Sequence, residues 1–279
     1  MNTQKSVTGE QLLEFFFSKA PWIDRAETVD RVIAGDPKKP LKRILVAWMP
    51  SLEMVQYAIA NQFDLLLTHE PTFYDHWDYL KTPEELETME TAAQKKKLID
   101  EAGLVIIRNH DVWDLFPEIG IPFAWAKFLG IEGAPTKIGG RNYQHRYDIP
   151  PVRFGDFARH VAARCAKGGE PAIQVLGDDD QIVSKLGIGT GCCTNPPTFQ
   201  EMGCDVVIVS DDGTWYWKQL QRAADEGLNV IRVHHGTSEV PGMETLAQFV
   251  RDNFPALHVE CRLQTPIFRT VTADGPIKA

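Results

Sequence analysis

The sequence predicts an α/β fold, and three observations predict it. Apolar runs of strand length alternate along the chain with helix-length stretches. Several runs, such as "DLLLT" (64–68) and "DVVIVS" (205–210), are almost continuously apolar, as strands covered on both faces require. Four of them end in imidazoles or carboxylates, which places polar chemistry at the carboxyl ends of strands, where parallel sheets bind ligands.

The elements follow in order. "GEQLLEFFFSKA" (9–20) predicts a first helix, "KRILVAWM" (42–49) a strand, and "LEMVQYAIANQ" (52–62) a second helix. The strand "FDLLLT" (63–68) comes next. A long polar helix then covers "PEELETMETAAQKKKLIDEAG", with Pro83 at its start and Gly103 beyond its end, the usual helix punctuation. "LVIIRN" (104–109) is a strand and "PFAWAKFLG" (122–130) a short amphipathic helix. Residues 131–153 hold several Gly and Pro residues without a period and predict a domain boundary. Beyond it lie a helix around 155–167, the strand "AIQVLG", the acidic turn "DDDQ" and the strand "SKLGIGTG". The strand "CDVVIVSDD", the helix "YWKQLQRAADEG" and the strand "LNVIRVHH" follow, and "METLAQFVRDNF" and "HVECRL" close the chain.

Composition narrows the function. Of 279 residues, 43% are hydrophobic and 24% charged, ordinary for a soluble globular protein. A net charge of −9 excludes a typical nucleic-acid binder, which needs a basic excess to displace phosphate counterions. No apolar run is long enough to span a bilayer, and "MNTQKSVTGE" lacks the core of a signal peptide, so no membrane partner and a cytoplasmic location are expected. The five cysteines, Cys165, Cys192, Cys193, Cys204 and Cys261, form no CxxC pair, which argues against a zinc ribbon or a disulfide framework. The adjacent Cys192 and Cys193 keep a cysteine-dependent enzyme as a reading to be tested.

The strand ends carry the chemistry. "FDLLLT" runs into His69 and Glu70, and "LVIIRN" into His110 and Asp111, with Asp114 one turn later. "DVVIVS" runs into Asp211 and Asp212, and "NVIRV" into His234 and His235, with Glu239 beyond. Imidazole nitrogen and carboxylate oxygen are the ligands of Zn²⁺, Fe²⁺ and Mn²⁺ in hydrolytic and redox centres. Several carboxylates in one cleft resist ionisation unless a cation joins them. His110 and Asp114, like His235 and Glu239, stand four residues apart, so either a helical turn or a compact loop could point both at one ion. Five or six such ligands suit two metals sharing a bridging carboxylate. Each residue also has an ordinary reading: a solvated loop histidine, a helix-capping Asp111 or Asp211, a surface Glu239. "GIGTG" (187–191) is either a phosphate cradle or a tight turn where backbones pack closely. Trp113, Trp215, Tyr216 and Trp217 either stack on a planar base or fill core and interface.

The order "DLLLTHEP", "IIRNHDVWD", "LGIGTG", "DVVIVSDD" and "VIRVHHGTSE", with the late "TPI", resembles the Nif-three-like dinuclear metal-centre proteins, many of which bear the name GTP cyclohydrolase I type two. The likeness runs from about residue 42 to 267. In that family "THEP" usually reads Thr-His-His-Pro with both histidines on metal. The resemblance therefore makes His69 a ligand and puts Glu70 in the place of the second, which shifts preference towards harder ions. The His-Thr-x-x-Asp element matches His110 to Asp114, with Asp114 in the bridging position, and the Gly-His-x-x-x-Glu element makes His235 and Glu239 ligands. The early Trp-Asp-x-x-Gly-Leu element is not recognisable in "AETVDRVIAGDP", and "SDDGTWYW" lacks the histidines that often follow its strand.

What the resemblance implies is two α/β domains, a metal site in the cleft between them, and a toroidal homohexamer. Residues 1–131 with 228–279 are expected to form the metal-binding domain and 132–227 the second. The expected function is a metal-dependent hydrolase holding two divalent ions (Zn, Fe or Mn) on His69, Glu70, Asp114, His235 and Glu239. It would act on a C–N or phosphoryl bond of a small, nucleotide-like substrate. His110 is expected as an outer neighbour of the metals or general base, and Asp211 or Asp212 as an orienting carboxylate. The rival is a non-catalytic metal-binding, trafficking or regulatory interaction protein.

Overall fold

The computed structural model describes residues 7–78 and 89–277. Pro83, the expected start of the long polar helix, lies outside the described residues. The chain divides into two compact units, one of residues 1–116 and 243–264, the other of residues 117–242 and 265–279. Among the described residues no helix is long and apolar enough to cross a membrane.

The first unit is built on a five-stranded sheet in the order Arg31–Ala34, Val105–Arg108, Leu65–Thr68, Arg43–Ala47, His258–Cys261. The last four are mutually parallel, and Arg31–Ala34 runs antiparallel at the edge. Leu65, Leu66 and Leu67 are all buried because the sheet is covered on both faces. Leu45, Leu66 and Ile106 pack with Met54, Val55 and Ala58 of the helix Leu52–Ala60 and with Ala92 and Ile99 of the helix Glu90–Ala102. Val105 and Ile107 face the start of the helix Gly9–Lys19. The helix ends obey local chemistry. Thr8 and Gln11 form a reciprocal capping box, Ser51 caps Met54 N–H at 3.2 Å, and Gly103 closes Glu90–Ala102 in the left-handed conformation.

The second unit carries a mixed six-stranded sheet in the order Lys137–Gly139, Gln144–Arg153, Ile182–Ile188, Val206–Ser210, Asn229–Val233, Gln174–Leu176. Ile182–Ile188, Val206–Ser210 and Asn229–Val233 are parallel, and the rest pair antiparallel. Strand alternation sorts the core. Val206 and Ile208 join Phe157 and Val161 of the helix Phe154–Lys167, while Val207 and Val209 join Phe199 and Leu228 on the other face.

Three expectations need revision. The aperiodic stretch 131–153 holds the pair of strands Lys137–Gly139 and Gln144–Arg153 rather than a linker, with Gly139 and Gly140 at the turn and Pro150 and Pro151 in the irregular half of the long strand. The helix Ile121–Leu129 belongs to the second unit, since Trp125, Ala126 and Leu129 pack into the Phe154–Lys167 core. The last long helix begins at His235 and runs to Asn253, eight residues before the apolar period starts at Met243. Pro241 and Gly242 hide its first turns in the sequence, and the unit division falls within it, after Gly242.

His145, buried beside Phe123, is pushed down to about 4 by its burial, which its backbone contact at Asn142 only partly offsets. Between pH 6.5 and 4 the unfolded chain then binds a proton that the folded chain refuses, so stability falls as pH drops through that window. In urea titrations from pH 7 to 5, His145→Gln should flatten this loss by about 1 kcal/mol per pH unit, and an unchanged slope would refute the assignment.

Candidate metal centre

The sheet registers bring the polar strand ends together in pairs, one pair per unit, instead of along a single edge. In the first unit Thr68 pairs with Arg108, so His69 and Asn109-His110 leave the sheet side by side. In the second, Ser210 pairs with Val233, so Asp211 and His234-His235 do the same.

At the first pair, the backbone N–H groups of His69 and Glu70 both donate to Trp48 O, at 3.0 and 2.9 Å, which turns the chain out of the strand. His69 is completely buried and its ring stacks on His110, centroids 4.4 Å apart. Its Nδ1 lies 3.3 Å from Asn109 O, which directs Nε2 towards Asp114 Oδ1 at 3.5 Å. His110 Nδ1 lies 2.8 Å from Asp111 Oδ1 and 3.3 Å from Asp114 Oδ2. Donor atoms of His69, Glu70 and His110 lie within 4.8 Å of one another, as do those of His110, Asp111 and Asp114. His110, expected as an outer neighbour of the metals, thus sits within both sets.

Charge is concentrated here. Burial disfavours charge on His110, but Asp114, the Asp111 hydrogen bond and Glu70 outweigh it and raise the imidazole to about 10. Burial also opposes ionisation of Asp111, and the His110 hydrogen bond and charge, Thr28 and Val29 overcome it, holding the carboxyl well below the usual range. A divalent ion on these donors competes with the His110 proton, as metals do wherever imidazole must be neutral to ligate.

In the second unit Asp211 Oδ1 accepts His235 N–H at 2.8 Å, capping the helix His235–Asn253. Asp212 Oδ2 lies 2.8 Å from His235 Nδ1, and His235 Nε2 lies 2.9 Å from Glu239 Oε2, one turn along. The hydrogen bond from His235 holds the Asp212 carboxyl below its ordinary value. Each imidazole is therefore fixed through Nδ1 by an oxygen and turns Nε2 to a carboxylate. That is the arrangement of metal-binding histidines, whose second nitrogen is held by a carboxylate or backbone carbonyl. The donor sets, nitrogen and oxygen only, fit a divalent ion of the zinc, iron or manganese kind.

"GIGTG" is a close-packed turn. Gly191 has φ +52°, and a Cβ there would sit 2.8 Å from His235 Nε2 and closer still to Glu239 Oε1. Trp113 is core, packed on Phe116 and Phe249, whereas Trp215, Tyr216 and Trp217 are largely exposed. Cys165 and Cys204 are buried and pushed up to about 12 by that burial, so neither is an activated thiol.

Sequence reasoning missed Asp30, in the stretch where no motif was recognisable. Its buried carboxylate accepts the backbone N–H groups of His110, of Asp111 at 3.0 Å and of Val112 at 2.7 Å, seating the short helix Asp111–Asp114. Burial, then the charge of Asp111, raises its own pKa. It also missed Arg108, whose charge at the end of an apolar run was the available signal. Asp30→Ala leaves three donors without their acceptor and should cost about 1–3 kcal/mol in urea unfolding, with Asp30→Asn in between; wild-type stability in both would contradict the capping role.

The Duf34/NIF3 (NGG1p interacting factor 3) family matches the chain over residues 8–266. A relative from Allochromatium vinosum, named GTP cyclohydrolase 1 type 2 homolog, is 22% identical over 248 residues, spanning 88% of this chain and 92% of that protein. The crystal structure of Staphylococcus aureus protein SA1388 superposes with a TM-score of 0.78 at 14% identity, over 96% of this chain and all of its own. A Bacillus cereus protein related to NIF3 gives 0.73 at 17% identity, with 96% and 100% covered. At such identities the superpositions speak for the fold, and the family match extends over most of the sequence. The chain belongs to the Duf34/NIF3 family.

Proposed function

We propose that the protein is a dinuclear-metal hydrolase, with two divalent ions held by His69, Glu70, Asp114, His235 and Glu239. The observation that carries this reading is the matched anchoring of His69 and His235, each fixed at Nδ1 with Nε2 turned to a carboxylate. Bound there, two such ions supply Lewis acidity and lower the pKa of water for attack on a C–N or phosphoryl bond.

The chain's own residues do the remaining work. Asn109 O and Asp212 hold the two imidazoles in one orientation, and Asp211 holds the backbone of His235. Glu70 lies 3.7 Å from the Arg108 guanidinium, which balances its charge. His110, whose Nδ1 lies between Asp111 and Asp114, would hold and move a proton. The name GTP cyclohydrolase 1 type 2 homolog, carried by the relatives, supports a nucleotide-like substrate.

Elemental mass spectrometry on tag-free protein tests the reading. Wild type should carry about two transition-metal ions per chain. His69→Ala and His235→Ala should each fall short of that and lose hydrolysis of nucleotide substrates together with the metal. Full occupancy in either variant would remove that histidine from the centre.

A further inference from the structure

The chain from His69 to Asp78 leaves the sheet carrying the first two proposed ligands, and three buried charged side chains close on its backbone. Arg108 is 0% exposed, Lys95 1% and Asp78 4%, and the proposed chemistry uses only Arg108 among them, as the counter-charge of Glu70. Arg108 donates through Nε to His69 O at 2.9 Å and through Nη1 to His76 O, so one guanidinium joins both ends of the segment. Its Nη2 stands 3.7 Å from Glu70 Oε2. Lys95, reaching in from the helix Glu90–Ala102, donates to Thr72 O and to Pro50 O at 2.9 Å, with Tyr74 under its ammonium at 4.3 Å. Asp78 accepts Thr72 N–H and Phe73 N–H, both at 2.8 Å. Thr72 is thus gripped from both sides, its carbonyl by a cation and its amide by an anion.

Three buried charges are an expensive way to satisfy a loop. Water satisfies surface loops, and well-packed apolar side chains usually stabilise a core at least as well as buried ions. What buried ions give is geometry, because each fixes a backbone atom in a direction that packing alone leaves loose. The backbone atoms they fix here begin at His69 O and continue through Thr72 and Phe73 to His76 O, along the segment that carries Glu70.

We propose that Arg108, Lys95 and Asp78 are positioning residues that clamp the segment His69–Asp78 and so set the metal-binding geometry of His69 and Glu70. This rests on the metal reading above, and the experiment keeps the two apart. Lys95→Met, Asp78→Asn and the milder Lys95→Arg are compared with wild type and with Ile99→Val, a core substitution in the same helix as Lys95. Three quantities are read: Zn²⁺ affinity by chelator competition, the visible spectrum of the Co²⁺-substituted protein, and amide exchange at Thr72 and Phe73.

Lys95→Met and Asp78→Asn should bind Zn²⁺ about 10- to 100-fold more weakly and shift the Co²⁺ bands, with Lys95→Arg recovering part of the loss. Ile99→Val should lower the melting temperature and leave affinity and spectrum unchanged. Folded Lys95→Met and Asp78→Asn with wild-type affinity and spectrum would overturn the clamp. Wild type that takes up no metal would instead overturn the proposed function. The clamp would then be judged on exchange at Thr72 and Phe73, where rates equal to wild type in both variants would overturn it as well.

Discussion

An imidazole presents a nitrogen to a metal in a fixed direction when something else holds the ring, and this constraint organises both candidate clusters. His69 rests its Nδ1 against Asn109 O, and His235 rests its Nδ1 against Asp212. Both anchors exist because neighbouring parallel strands end together. Thr68 beside Arg108 brings Asn109 to His69, and Ser210 beside Val233 brings Asp211 and Asp212 to His235. Shifting either register by one residue would point the side chains to opposite faces and separate anchor from ring. The apolar strands thus bury a core and also keep the register on which the polar ends depend.

Electrostatics sets the second constraint. In the first unit His69, His110, Glu70, Asp111 and Asp114 share a small volume with buried Arg108 and Asp30. Two stacked imidazoles 4.4 Å apart resist carrying charge together, and several carboxylates resist it as well. Backbone amides relieve part of the strain, three of them on Asp30 and one from Val29 on Asp111. Arg108 relieves more by standing beside Glu70. Position 70 carries a carboxylate, and the buried guanidinium beside it keeps that charge compatible with burial.

Much of this was legible in the sequence for identifiable reasons. Leu65–Thr68 and Val206–Ser210 announce themselves because strands buried on both faces must be continuously apolar. His69, His110, Asp211 and His235 stand out because such runs seldom end in imidazoles and carboxylates. Asp30 was not legible, since its partners lie about 80 residues away and only the antiparallel edge strand Arg31–Ala34 beside Val105–Arg108 brings it to them. The start of the helix at His235 was masked by Gly236, Pro241 and Gly242, although Gly242 is what lets the helix approach Ile121. Lys95 and Asp78 were not legible either, because nothing local shows that both turn inward to Thr72.

Anomalous diffraction at the metal absorption edge, from crystals grown with Zn²⁺ or Mn²⁺, tests the metal assignment most directly. Anomalous peaks should fall about 2.0–2.2 Å from His69 Nε2 and His235 Nε2, with carboxylate oxygens of Asp114 and Glu239 at similar range. Metal-saturated crystals whose anomalous peaks lie away from both imidazoles would contradict it.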